Sequence, residues 1–417
     1  MQCYAPLKSL VEGKDVAVVG IGVSNVPLIH LLLRLGAKVT ACDRRDEKDL
    51  GTVYQELSAL GVEFCLGEGY LGALTQKVIF KTPGMRYDLP ELEEAKANGA
   101  VVTSEMEQFF ELCPAKIFGI TGSDGKTTTS TIVYELLKTE GHRCWLGGNI
   151  GTPLLDKISE MNPDDRVVLE LSSFQLHTLR KSPQVAVMTN ITPNHLDMHK
   201  DYQEYIDAKK NIMLYQNDGD VLVTNSKNEI TRQIGTEAKG EQRCFSSAGD
   251  AMVCLKNGAI YYGDEFILET SDIKIPGRHN VLNYMAAYAA TAEHVSPETV
   301  KKIAVEFGGV EHRIELVREL DGVKYYNSSI DSTPTRTAAA LSSFKEKVIV
   351  ICGGYDKNLS YDPLAVTLCE KAKAVVVTGA CAPKILAALE GYEGYKSSGL
   401  RVYKEPIFES AVKEERS

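Results

Sequence analysis

No two of the ten cysteines stand in a C-x-x-C pair; they fall singly between Cys3 and Cys381. That scatter excludes the common zinc ribbons and a disulfide framework, and reduced, mostly buried thiols are expected. A basic surplus is missing as well, with 46 Lys and Arg against 56 Asp and Glu and a formal charge of −10. Dedicated nucleic-acid binders show the opposite balance, so any anionic ligand must be met by local groups. No stretch approaches the roughly 18 uninterrupted apolar residues of a membrane span. The opening MQCYAPLKSLVEGKD has no signal-peptide pattern. A cytoplasmic protein that engages neither membrane nor nucleic acid is expected. At 417 residues the chain is too long for one ordinary core, and two or three domains are expected.

What is present is organised around residues 116 to 131, KIFGITGSDGKTTTST. A short apolar strand runs into a glycine-rich turn and then into a helix. Gly119, Gly122 and Gly125 would let the backbone approach a polyphosphate, with successive N–H groups and the helix N-terminus aimed at its oxygens. The loop Gly122, Ser123, Asp124, Gly125, Lys126, Thr127, Thr128 then supplies a cation from Lys126 and a hydroxyl for Mg²⁺ from Thr127. The pattern G-x-x-x-x-G-K-[ST] asks for glycine at 120, where Ile120 stands. A turn that merely joins strand to helix is the bland alternative, and it leaves Gly-Lys-Thr-Thr at the helix start unexplained.

Upstream, DVAVVG, the turn Gly20-Ile21-Gly22-Val23-Ser24-Asn25, the helical VPLIHLLLRLG and the strand AKVTAC form one β-α-β unit. Asp43 ends its second strand, where a ribose or base would meet it. Asn25 stands where the third fingerprint glycine belongs, so a plain tight turn remains open. VIFK then runs into Thr82-Pro83-Gly84 at what should be the ligand edge. Beyond the phosphate loop, RVVLELSS, VAVMTNI and DVLVTN are continuous β-branched runs of the kind buried in parallel sheets. Residues 252–275 read as an antiparallel hairpin patch. After Gly309, VKYYNSS, KVIVICGG and AVVVTG suggest a third α/β segment, with the turns at Asn327 to Ser332 and at Gly353 to Lys357 at one edge of its sheet. PIFESAVKEERS reads as the start of a helix.

Several side chains could carry chemistry. Glu170 ends the strand RVVLE, where a Mg²⁺-holding carboxylate is needed, although strand-end acids are common. His195, in ITPNHLD, suits a second metal or a loop cap. Lys209 reads as a surface lysine on its helix, or as a carbamate bridging to metal if burial lowers its pKa. Arg313 is either a surface arginine or a guanidinium that reaches a nucleotide phosphate.

Taken in order, GITGSDGKTTT, GGNIG, LELSSFQL, NITPNHLDMH, the AKK helix, GRHN, EHR and GGYDK resemble the motifs of the Mur ligases, over about residues 16 to 406. The resemblance implies three α/β domains: a Rossmann-like UDP-sugar domain at 1–104, a central P-loop ATPase with a mainly parallel sheet at 105–309, and a Rossmann-like amino-acid domain at 310–417. It implies ATP and two Mg²⁺ ions, with Thr127, Glu170, His195 and carbamylated Lys209 as metal ligands, and Lys126 on the phosphates. Asn280 and Arg313 would contact the nucleotide. Asn149 and Ser172 would meet the muramoyl substrate, and Ser24, Asp43, Arg44 and Arg45 its uridine end. The implied reaction is ligation of D-glutamate to UDP-N-acetylmuramoyl-L-alanine by a monomer, through an acyl phosphate.

Ser332 and Lys357 would face the amino acid. The usual third-domain motif has an aspartate where Ser328 stands, so Asp331 is the candidate replacement. The family's closing Ser-Phe segment has no counterpart after Ser417, and the resemblance therefore leads us to expect an incomplete amino-acid domain. Three other readings stand beside it: a sibling amide ligase, either another Mur enzyme or a folylpolyglutamate synthetase, a dinucleotide oxidoreductase, and a non-catalytic nucleotide binder. LELSSFQL speaks against the first and Asn25 against the second.

Overall fold

The structure is a computed structural model that describes residues 2–72, 74–193, 198–356 and 359–405. It separates into two compact units, one of Met1–Glu269 with Leu282–Ile303, the other of Thr270–Val281 with Ala304–Ser417. Among the described residues no helix is long and apolar enough to cross a membrane.

The first unit holds two sheets. In the first, β1 (Asp15–Val19), β2 (Lys38–Asp43), β3 (Glu63–Leu66), β4 (Val78–Lys81) and β5 (Val101–Thr103) run parallel in the order β3-β2-β1-β4-β5. β1 and β4 are buried at almost every position, which explains why they read as unbroken apolar runs. The winding reverses between β1 and β4, and that reversal opens a crevice at their carboxyl ends. Gly20 closes it: at φ +89° its absent Cβ would sit 2.8 Å from the Thr82 Cβ, so only glycine lets the first turn meet the end of β4.

The second sheet contains β6 (Lys116–Thr121), β7 (Cys144–Gly148), β8 (Arg166–Glu170), β9 (Val185–Met188), β10 (Val221–Asn225), β11 (Glu241–Ser246), β12 (Val253–Lys256), β13 (Ala259–Tyr262) and β14 (Glu265–Glu269), in the order β14-β13-β12-β11-β10-β9-β6-β8-β7. Strands β6 to β12 pair in parallel, and β12, β13 and β14 form the expected antiparallel patch. β6 lies between β8 and β9, so the phosphate loop leaves the sheet at a second reversal point. The register pairs Ile120 with Glu170 and Thr121 with Met188, which fixes Glu170 beside the loop.

The second unit departs from expectation. β15 (Glu315–Leu320) and β16 (Val323–Asn327) form a separate antiparallel hairpin, while β17 (Val348–Gly353), β18 (Ala372–Thr378) and β19 (Arg401–Lys404) form a parallel sheet. The turns after Asn327 and after Gly353 therefore do not share one sheet edge. The cause is local: Asp321 and Gly322 take φ of +51° and +78°, the Asp-Gly hairpin turn that twists with its strands. PIFESAVKEERS, from 406 on, lies outside the described residues.

One core runs through both sheets of the first unit, from Leu7 and Phe80 to Phe109, Ile117 and Val167. Polar ties cross it. The Tyr4 hydroxyl donates to the Leu155 carbonyl at 3.0 Å, and the Leu155 N–H donates to buried Glu105 at 3.1 Å. Burial pushes the Glu105 carboxyl up to about 7, and the Leu155 N–H offsets only part of that. A carboxyl whose folded pKa is raised contributes fully below its unfolded value of 4.5 and loses that contribution as pH climbs toward 7. Native protein should thus lose up to about 3 kcal/mol between pH 4.5 and 8 relative to Glu105→Gln. Urea midpoints that stay parallel across this range would contradict the assignment.

Candidate active site

The phosphate loop is built by residues far along the chain. Gly122 has φ +148°, and a Cβ there would overlap the Thr189 hydroxyl. That hydroxyl donates to the Asp124 carbonyl at 2.6 Å, while Asn190 accepts the Asp124 N–H at 3.0 Å and donates to its carbonyl at 3.1 Å. The Ser123 N–H donates to the Asn190 carbonyl, and its hydroxyl pairs with Thr192 and with Tyr205. Gly125 is left-handed at φ +81° and starts the Lys126–Thr139 helix without a side-chain cap, so the first N–H groups of that helix are available to phosphate oxygens. The Lys126 ammonium curls back to the Ser123 carbonyl at 3.0 Å. Thr127 and Thr128 sit in the same first turn.

Gly119 does something else. It lies inside β6, where a Cβ would come within 2.6 Å of Pro183, so it serves packing rather than phosphate approach. Asn283 is a residue that the sequence reading passed over. A Cβ on Gly125 would lie 2.5 Å from its Oδ1, which also accepts from Thr129 at 3.3 Å. The signal was its place three residues after Asn280, on one face of a helix. Asn280 itself belongs to the second unit, where its amide donates to the Pro276 carbonyl.

Two buried groups flank the loop. Glu170 is 2% exposed; its Oε1 accepts from Asn149 Nδ2 at 3.0 Å, and its Oε2 is buried without a hydrogen-bond partner. An orphaned buried carboxylate oxygen beside a phosphate loop fits a divalent cation. Among the described residues no cluster of three or more His, Cys, Asp or Glu makes a ready cage; of these residues, Glu170 and Thr127 beside the loop could hold such a cation together with ligand oxygens. Asn149 is thus engaged in holding Glu170. Lys209 is 2% exposed and is no surface lysine. Its Nζ donates to the Gly122 carbonyl at 2.8 Å and the Thr121 hydroxyl at 3.3 Å, above the Tyr205 ring. Burial first, then the Lys126 charge, pushes its pKa well down against the opposing pull of Glu170 and Asp124. Ser172 caps the short Ser173–Leu176 helix in a capping box with Gln175.

At the first sheet's crevice, Asp43 accepts from the Ile21 N–H at 2.7 Å and from Arg45 through both oxygens. Burial would raise its pKa, but those donors outweigh it and lower it to about 2. Asp43 and Arg45 therefore set the shape of the turn after β1. Ser24 precedes the Asn25–Arg34 helix, and Arg44 is exposed. Asn25, in the third-glycine position, donates to the Gly20 carbonyl at 2.8 Å and braces that turn. Thr82, Pro83 and Gly84 follow β4 directly.

In the second unit Arg313 is bracketed by two strained residues, His312 at φ +64° and β-branched Ile314 at +47°, a conformation that costs on the order of 1–3 kcal/mol each. The Ser328 hydroxyl donates to Asp331 at 2.7 Å and accepts the Ile314 N–H at 3.0 Å. The Asp331 carboxylate thus turns back against position 328. Ser332 lies just beyond, before the Pro334–Ser342 helix. His195 and Lys357 lie outside the described residues.

A family model for the Mur ligase middle domain matches residues 120–291, and one for the Mur ligase MurD-like N-terminal domain matches residues 14–104. The UDP-N-acetylmuramoylalanine--D-glutamate ligase of Ruminiclostridium cellulolyticum is 56% identical over 392 residues, spanning 92% of this chain and 84% of the relative. The ligase of the same name from Acetivibrio thermocellus is 52% identical over 415 residues, 97% and 89% of the two chains. Among solved structures, UDP-N-acetylmuramate-alanine ligase from Thermotoga maritima aligns with a TM-score of 0.62 at 21% identity, covering 96% of this chain and 92% of that one. A D-alanyl-D-alanyl-adding ligase from Acinetobacter baumannii aligns at 0.56 and 16%, covering 98% and 91%. At those identities the likeness is one of fold.

Gly122→Ala should displace the Thr189 hydroxyl and weaken nucleotide binding by about 10-fold or more, read by calorimetry, in a protein whose circular dichroism is unchanged. Affinity within threefold of native would show that the loop does not need glycine there.

Proposed function

The chain belongs to the Mur ligase family, and we propose that it joins D-glutamate to UDP-N-acetylmuramoyl-L-alanine, driven by ATP, in peptidoglycan precursor synthesis. The near full-length similarity to D-glutamate ligases, about half identical, carries this reading. A loop set between Glu170 and buried Lys209 supports the chemistry. A carboxylate resists attack by an amine, so the alanine carboxylate takes the γ-phosphoryl group of ATP, giving an acyl phosphate and ADP. The D-glutamate amine adds to its carbonyl carbon, phosphate leaves with the C–O bonding pair, and the nitrogen sheds a proton. Lys126 and the helix N-terminus hold the phosphates while charge gathers between two anions.

Thr127, Glu170, His195 and Lys209 in carbamate form are assigned as ligands of two Mg²⁺ ions, which when bound neutralise phosphate charge. The lowered pKa of Lys209 favours the free amine, whose lone pair adds to CO₂ with loss of one proton. Asn149 keeps Glu170 oriented, and Asn280 and Arg313 are assigned to the nucleotide. Asn149 and Ser172 are also assigned to the UDP-muramoyl substrate, Thr82 to Gly84 to the same UDP-substrate, and Ser24, Asp43, Arg44 and Arg45 to its uridine end. Residues 1–104, 105–309 and 310–417 form UDP-sugar, ATP and amino-acid domains. Ser332, Lys357 and the Ser328–Asp331 pair serve D-glutamate. The protein acts in the cytoplasm as a monomer.

Phosphate release should require ATP, the UDP-sugar and D-glutamate together, and fall at least tenfold with L-glutamate or D-alanine in its place. Equal release with those amino acids would overturn the substrate assignment. Removing CO₂ should lower the rate by on the order of 10²-fold, with bicarbonate restoring it in native protein but not in Lys209→Met. A rate indifferent to CO₂ would exclude the carbamate.

A further inference from the structure

Arg86 is not part of any motif singled out in the sequence, yet it joins the two sheets of the first unit. It stands two residues after Gly84, at the end of the turn that follows β4. Its Nη1 donates to the Met198 carbonyl at 2.8 Å, and its Nη1 and Nη2 reach the two Glu204 oxygens at 3.3 and 3.1 Å. Its Nε and Nη2 also hold both oxygens of Asp88, at 2.8 and 2.9 Å. Asp88 in turn takes the Lys200 ammonium at 2.9 Å, and Glu204 takes the Lys200 N–H at 2.7 Å. Two cations and two carboxylates close a neutral ring. Glu204, with a side chain only 12% exposed, lies in the first turn of the Tyr202–Leu214 helix, the helix that carries Lys209 five residues further on.

Two imidazoles also face Glu204: His199 Nδ1 at 3.4 Å and His177 Nε2 at 4.0 Å. Burial pushes both pKa values down, against the pull of Glu204. Neutral imidazoles leave Arg86 as the counter-charge that Glu204 needs. A bidentate guanidinium between two partly buried carboxylates is more rigid than exposed ion pairs, which contribute little. The helix bearing Lys209 is thereby tied to the turn that ends in Gly84, rather than only to its own sheet.

We propose that Arg86 is a positioning residue that couples the UDP-sugar turn at 82–84 to the Lys209 helix, so that binding of the UDP-sugar and of the magnesium nucleotide assist each other. The inference rests on the functional reading above. Arg86 acts by holding 82–88 and 198–204 as one piece. Binding free energies coupled in this way are reciprocal, so either ligand should report it.

The experiment is calorimetric. The Kd of UDP-N-acetylmuramoyl-L-alanine is measured with and without Mg²⁺ and a non-hydrolysable ATP analogue. The native ratio should be about fivefold or more. In Arg86→Ala it should fall to within about twofold of unity, as in Glu204→Gln, and the double substitution should go no further than either single one. Arg86→Lys should restore only part of the ratio, since an ammonium keeps the charge without the fork. Lys227→Ala, which breaks an exposed pair with Asp250, should leave it native. Melting temperatures identify any variant that fails to fold, and Glu204→Gln then decides alone. A native ratio of one, or variants that keep the native ratio, overturns the coupling while leaving the ligase reading intact. Failure of native protein to bind the UDP-sugar removes both.

Discussion

A lysine amine buried beneath the phosphate loop is the constraint on which the rest of the site depends. Lys209 spends its hydrogen bonds on the Gly122 carbonyl and the Thr121 hydroxyl, both at the point where β6 gives way to the loop. Burial and the neighbouring Lys126 charge outweigh the pull of Glu170 and Asp124, so the amine is held where losing its proton is easy. That position is possible only because Gly122 turns its backbone through a conformation that leaves room for Thr189, and because Tyr205, one turn earlier on the same helix, covers the amine from the other side. Glu170 completes the arrangement with one oxygen fixed by Asn149 and the other left over.

Around this centre the first unit repeats one device. Each of its sheets reverses winding beside its first strand, and each reversal places a glycine turn opposite the end of a neighbouring strand. In the first sheet Gly20 meets Thr82; in the second Gly122 meets Thr189. A continuous core and the Arg86–Glu204 bridge join the sheets that carry the two crevices.

Most of this architecture was legible in the sequence, because buried parallel strands announce themselves as β-branched runs and the loop has a spacing tied to its chemistry. What stayed hidden depended on contacts distant in sequence. Gly119 looked like a phosphate glycine until Pro183, far along the chain, proved to be packed against it. Asn149 turned out to hold Glu170, and Asp43 to organise its own turn with Arg45. Asn283 and Arg86 carried no motif at all. The Asp321-Gly322 turn was readable, and missing it placed β16 in the wrong sheet. Glu170 and Lys209 each had a bland alternative in the sequence, and burial removes the surface reading of Lys209.

The most direct test of the account follows an atom. With ¹⁸O in the alanine carboxylate of the UDP-sugar, phosphate released during D-glutamate addition should carry one labelled oxygen per turnover, because the carboxylate oxygen that accepts the phosphoryl group leaves with it. Unlabelled phosphate, with the departing carboxylate label found in water instead, would contradict an acyl phosphate and with it the role given to the loop, Glu170 and Lys209.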